Sequence, residues 1–271
     1  MPTRSLLYHD VVEDGRWSSS GFDGGDAAIY KLTRTAFLAH LDRLATLGRP
    51  PDLAEAPSSG WTITFDDGGS SALDVIAPAL ERKGWRGHFF MTTGWIGAPG
   101  FLNADGLREL SARGHVIGSH SARHPLAMSS LSRDELRREW RDSVDALADL
   151  LGRRPGVASI PGGAYSSTVA ETAGEAGIRV LFTSEPTDKP WRVGPVTCLG
   201  RYTLWRGMAP EAAVQFAEGR GMGRVRQRIA WEAKKILKRT SGPAYRALRR
   251  RLLSTGPPVT AGRGTVLPPP R

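Results

Sequence analysis

The chain predicts an α/β fold with a largely parallel sheet or barrel, on three observations. Amphipathic helical segments alternate with short apolar runs, and each helical pattern stops at a glycine. The acidic and imidazole residues with chemical potential then fall just after apolar runs, where parallel strands of such folds end and active sites collect.

Taken in order, residues 35–47 carry Phe37, Leu38, Leu41, Leu44 and Ala45 on one face and stop at Gly48. Residues 71–83 end at Gly84 before the run 87–91, and 104–113 end at Gly114 before 116–119. Residues 132–151 open with a capping box, Ser132 with Glu135, and end at Gly152. Residues 167–176 end at Gly177 before 178–182. Glycine suits these stops because it takes the left-handed conformation at little cost. Residues 10–26, rich in Gly, Ser and Asp, read as a long surface loop near the active face, and 49–60 as a Pro-rich connector. Past residue 207 the pattern changes. A helix is expected over 210–218, and 224–239 sets Val225, Ile229, Ala233, Ile236 and Leu237 on one stripe among Arg and Lys. Residues 245–253 continue in that style, and 256–271 are Pro/Gly-rich and expected to be unstructured. The expected division is a catalytic domain over 1–207, a basic helical extension over 208–255 and a tail over 256–271.

The 271 residues, 40% apolar with eight Trp and eight Phe, are enough to bury a core. The net charge of +10 invites a nucleic-acid reading until it is located. Residues 220–271 hold 14 Lys/Arg against Glu232 alone, while 1–219 hold 23 Lys/Arg against 26 Asp/Glu. The basic character belongs to the extension, and nucleic acid is not the expected partner. There the expectation is a helix partly packed on the body, with peripheral contact to an anionic membrane. One cysteine, Cys198, excludes an internal disulfide framework and a Cys-based zinc site, and reads as a buried small residue. With no apolar leader-like segment and no membrane-length apolar run, the cytoplasmic side, including the inner membrane face, is the expected compartment.

The chemistry gathers in two motifs. Asp66-Asp67-Gly68 closes the β-rich run 61–65, so one carboxylate can hold a cation while its neighbour moves a proton. His120-Ser-Ala-Arg-His124 adds two imidazoles, and an Asp with two His can occupy one face of a divalent metal and leave positions open. Singly, the acidic pair is an ordinary turn and the histidines an ordinary surface pair. Together they end two strands of one pattern, and Tyr8-His9-Asp10, after Leu6-Leu7, reads as a third strand end.

On these residues the chain resembles the polysaccharide deacetylase family, carbohydrate esterase family 4. Its Thr-Phe-Asp-Asp-Gly signature stands at residues 64–68 and its His-Ser/Thr-x-x-His signature at 120–124, within a likeness spanning about 5–206. The start, residues 7–15, looks like the circularly permuted branch that deacetylates poly-N-acetylglucosamine. The resemblance implies an incomplete, distorted parallel β/α barrel, with Asp67, His120 and His124 as metal ligands. It implies Asp66 as general base, His9 as general acid, zinc (or cobalt or nickel) as the metal, and an N-acetylated carbohydrate as substrate. The third motif departs: where many members have Arg-x-Pro-Tyr-Gly, residues 159–163 read Ser-Ile-Pro-Gly-Gly. The backbone N–H of Gly162 can still serve an oxyanion, but Ser159 at the arginine's place leaves Asp66 without its usual holder. His40, His88 and His115 are expected in solvated or core roles. Trp95, Trp191, Tyr202 and Trp205 are expected as a sugar platform or as packing. Two rival readings stand beside the N-deacetylase: a catalytically degenerate carbohydrate-binding relative, and a metal-dependent hydrolase of another amide or an O-acetyl ester.

Overall fold

The structure is a computed structural model that describes residues 3–48 and 60–240. It opens with β1 (Thr3–Tyr8), β2 (Val11–Val12), α1 (Gly25–Ala28), β3 (Leu32–Thr33) and α2 (Arg34–Ala45). The alternation continues through β4 (Gly60–Phe65), α3 (Ala77–Glu81), β5 (His88–Met91), α4 (Ala104–Ala112), β6 (Val116–Ser119), α5 (Arg133–Leu151), β7 (Val157–Ser159), α6 (Ser167–Glu175) and β8 (Val180–Phe182). The hairpin β9 (Trp191–Val193) and β10 (Val196–Leu199) follows, then β11 (Arg201–Thr203), α7 (Pro210–Glu218) and α8 (Met222–Thr240).

Nine strands form one sheet in the order β11-β1-β4-β5-β6-β7-β8-β10-β9, parallel except at the β9–β10 hairpin. β10 and β11 are two halves of one bent segment: the first pairs with β8, the second with β1. The sheet therefore curls back on itself as an incomplete barrel, its last gap spanned by that single bent strand. Gly200 sits at the bend because nothing larger fits; a Cβ there would stand 2.4 Å from Glu185 O and 2.5 Å from Thr187 O.

Side-chain alternation along the strands separates two environments. Leu6, Tyr8, Ile63, Phe65 and Phe89 point outward and join Phe37, Leu41 and Leu44 of α2 in the main core. A second outer core sets Trp140 and Val144 of α5 and Val169 of α6 against Ala158 and Leu181. The barrel interior is narrow and half polar, with Phe90, Val157, Val180, Phe182 and Leu199 packed together beside buried Ser5, Thr62, Thr64, His88 and Arg201. Helix ends follow local chemistry: α5 has the Ser132/Glu135 capping box and a left-handed Gly152 after its last residue.

The structure refines three expectations. The helix foreseen over 71–83 is a π turn, Ala72–Ile76, leading into α3, whose first turn holds Pro78 and cannot supply the amide a continuous ladder needs. Segment 10–26 is not merely a surface loop. Asp10 and Ser20 are buried, β2 pairs with β3, and the Lys31 ammonium donates to the carbonyls of Trp17, Ser20 and Phe22, each at 2.6 Å. The core also runs past the expected boundary at 207, because α7 buries Ala213, Val214, Phe216 and Ala217 in the main cluster. The connector 49–59, the helical pattern at 245–253 and the tail 256–271 lie outside the described residues.

His40, His88 and His115 are all buried, and so is Cys198. His88 stacks in the barrel interior on Phe90 and beside Phe182. Burial, with Arg201 adding to it, pushes its pKa from 6.5 down to about 3. Between those values the unfolded chain binds a proton that the folded chain refuses, so stability falls as pH drops through that window. The expected slope from this residue is about 1.4 kcal/mol per pH unit. Urea titrations at stepped pH should show it, and His88→Asn should flatten it.

Candidate active site

Asp66 and Asp67 follow β4, His120 follows β6, His9 follows β1 and Ser159 ends β7, so parallel register brings all five to one rim. Asp67 Oδ1 lies 3.4 Å from His120 Nε2 and 3.3 Å from His124 Nε2, and the three ligand atoms fall within 4.8 Å of one another. Donors about 2.1 Å from one ion at tetrahedral angles stand roughly 3.4 Å apart. Asp67 Oδ1 is also buried without a hydrogen bond of its own. Burial raises the Asp67 pKa, but the two imidazoles overcome it and hold the carboxyl well below its usual range. A carboxylate oxygen with two imidazole nitrogens is a donor set for zinc, cobalt or nickel, and these residues fit such an ion.

The His120 tautomer follows from its partners. Its Nδ1 lies 3.1 Å from the Ser159 carbonyl, which can only accept, so Nδ1 carries the proton. The same nitrogen is 2.6 Å from Ser159 Oγ, which donates in turn to Asp66 Oδ1 at 3.0 Å. With the proton at Nδ1, the Nε2 lone pair would be available to a cation held together with Asp67.

Asp66 is gripped from inside the barrel. Arg201 Nη1 donates to Oδ1 and Nη2 to Oδ2, both at 2.7 Å, with the guanidinium fully buried and the carboxylate 3% exposed. The arginine is fixed by Nε donating to Thr183 O at 3.0 Å, by Nη1 donating to Thr64 Oγ1 at 3.1 Å, and by the Phe90 and Phe182 rings. Burial alone would raise the Asp66 pKa; Arg201 foremost reverses that and keeps it below the ordinary value. The holder missing at Ser159 is thus supplied from β11, and Ser159 itself donates to the same carboxylate.

The turn carrying the histidines is strained and braced. Asp67, Ser121 and His124 all have left-handed backbones, with φ of 78°, 66° and 60°. Buried Glu139 of α5 accepts from the amides of Ala122 and Arg123 and from Arg123 Nε. Ser121 Oγ accepts from His124 N. Glu139 escapes sequence reading because its partners lie in another element.

His9 packs on Tyr30, ring centroids 4.9 Å apart, with its Nδ1 buried and without a hydrogen bond. Burial lowers its pKa, while Asp67 and then Asp66 pull the other way. Gly162, in the turn after β7, has φ 61°, and a Cβ there would meet Leu126 O at 2.5 Å, so only glycine fits this approach. Of the four aromatics considered for sugar contact, Trp95 belongs to a cluster with Phe22 and Phe101 in which Phe22 also packs on His124. Tyr202 is buried against Phe216.

The polysaccharide deacetylase family model matches residues 54–181, which include both carboxylates, His120, His124 and Gly162. Residues 54–181 belong to a polysaccharide deacetylase domain. The match begins after β1 and ends before β11, leaving His9 and Arg201 outside it. Among curated relatives, the peptidoglycan-N-acetylglucosamine deacetylase PgdA of Listeria monocytogenes is 33% identical over 128 residues, 46% of this chain and 26% of that one. The matched segments span less than half the length of the curated relatives. Among solved structures, the Streptococcus pyogenes deacetylase PplD in complex with acetate aligns with a TM-score of 0.66 at 19% identity, covering 80% of this chain and 98% of that one. IcaB from Ammonifex degensii aligns at 0.61 and 21% identity, covering 80% and 96%. Identities of this size speak for the fold, and the fold is that of these deacetylases.

Proposed function

We propose that the chain is a metal-dependent hydrolase that removes acetyl groups from N-acetylglucosamine-type sugars of a polysaccharide or glycan precursor, releasing acetate. The observation that carries this reading is the division of two adjacent carboxylates. Asp67 faces two imidazoles, and Asp66 is turned into a buried arginine fork. Asp67, His120 and His124 would hold the cation, zinc first, with cobalt or nickel as substitutes. When bound, such an ion supplies Lewis-acid charge to the acetyl carbonyl and acidifies a coordinated water.

The protein's own residues do the rest. Asp66, kept ionised by Arg201, takes a proton from the attacking water as the new C–O bond forms. The Gly162 N–H donates to the oxygen that gains charge. His9 gives a proton to the sugar nitrogen as the C–N bond breaks, so the amine leaves neutral. The reading of a non-catalytic relative leaned on a base without its arginine, and Arg201 removes that support. The name of the Listeria relative favours an N-acetylglucosamine substrate.

The test is acetate release from N-acetylated chito-oligosaccharides by zinc-loaded protein. Asp66→Asn should lower turnover by about 10³-fold or more while stoichiometric zinc binding survives. Hydrolysis of O-acetyl esters alone, with N-acetyl sugars untouched, would move the assignment to an esterase.

A further inference from the structure

Helix α8 packs on the barrel with its polar edge and turns its apolar edge outward. Arg224 Nη2 donates to Asp188 Oδ2 and to Tyr202 Oη, both at 2.8 Å, and Gln227 Nε2 donates to Thr203 O at 2.7 Å. One turn on, Trp231 lies against Gly163. Positions 224, 227 and 231 share one face. Met222, Val225 and Ile229 share another, about 160° away at 100° per residue. Those three side chains are 65%, 47% and 64% exposed. In the sequence Val225 and Ile229 belong to the stripe of a helix expected to pack partly on the body; in the structure both side chains, with Met222, face solvent. Arg226 and Arg228 are exposed beside it, and Arg220 is exposed just before the helix. Arg220 and Arg228, with Met222, Val225 and Ile229, edge a surface cleft of about 610 Å³ that reaches down to Asp188 and Tyr202.

We infer that this face docks on an anionic lipid bilayer, with Met222, Val225 and Ile229 entering the acyl boundary and the arginines at the phosphates. Charge selects this occupant over the others. Residues 220–271 carry 14 Lys/Arg against one Glu, so a second copy of the helix would set like charges together. Residues 241–271 contain six arginines and no acid, so the chain's own end offers no compensating charge. An acidic soluble polymer would answer the arginines and leave the apolar stripe wet. Only a charged interface with an apolar interior satisfies both. Among the described residues no helix is long and apolar enough to cross a membrane.

The experiment is co-sedimentation of the full chain with phosphatidylglycerol–phosphatidylcholine vesicles and with phosphatidylcholine alone. Binding should require the anionic lipid and weaken as salt rises. Arg226→Gln with Arg228→Gln should weaken it about fivefold per charge removed. Val225→Asp with Ile229→Asp should weaken it at least tenfold while leaving the thermal midpoint nearly unchanged, since both side chains are exposed. Any of four results overturns the inference: no binding to anionic vesicles, equal binding to both vesicle types, undiminished binding by the double Asp variant, or displacement by soluble glycerol phosphate. Self-association abolished by Ile229→Asp, without vesicle binding, would assign the face to a second copy instead.

Discussion

Arg201→Met is expected to lower turnover by about 10²- to 10⁴-fold and stability by about 3–5 kcal/mol. The two losses share one origin. In the folded chain Asp66 is buried and its charge is answered by two parallel hydrogen bonds from the guanidinium. Burial favours the neutral acid, and Arg201 is the largest influence opposing it. Without the guanidinium the carboxyl must protonate or remain an uncompensated buried charge. The first outcome removes the base; the second destabilises the fold. Because Arg201 sits behind Asp66 and not in front of it, kcat should fall with little change in KM. Arg201→Lys restores charge without the fork and should recover only part of both losses. Urea titration and steady-state kinetics on the same preparations check the pair. Turnover within threefold of the parent in the Met variant would mean that Asp66 acts without its arginine.

His9→Ala is expected to reduce hydrolysis of N-acetyl sugars by about 10²- to 10⁴-fold, as for loss of a proton donor to a poor leaving group. The leaving group separates this role from a structural one. An amine must be protonated before it departs, whereas the nitrophenolate of 4-nitrophenyl acetate needs no proton. The ester rate should therefore fall by no more than a few fold in the same variant, and zinc stoichiometry should be unchanged, since His9 is outside the Asp67/His120/His124 trio. Equal losses on both substrates would point to a collapsed site and remove His9 from its role as acid.

Much of this arrangement is legible in the sequence, for identifiable reasons. Glycine stops and 3.6-residue periodicity report local backbone preference, and they placed α4, α5, α6 and α7 to within a residue or two. The two ligand motifs are contiguous, so each keeps its geometry within one strand end and its following turn. Other features depend on register and stay hidden. Arg201 meets Asp66 because β11 pairs with β1 and β1 with β4, a relation spread over 135 positions. Its trace in the sequence is an arginine inside a short β-like run, Thr197 to Thr203, beside the glycine that lets the strand bend. Glu139 reaches the histidine turn from mid-helix and leaves no motif at all. The outward stripe of α8 was readable as a stripe, but which side it faced was decided by Arg224, Gln227 and Trp231, whose partners lie far away in sequence.

Zinc titration of chelator-treated protein, with acetate release from an N-acetylated chito-oligosaccharide followed at each addition, tests whether Asp67, His120 and His124 hold the ion on which hydrolysis depends. One equivalent should bind per chain, acetate release should rise in proportion to occupancy, and Asp67→Ala should lose both. Full activity in metal-free protein, or one tightly bound equivalent with no acetate released, would contradict that dependence.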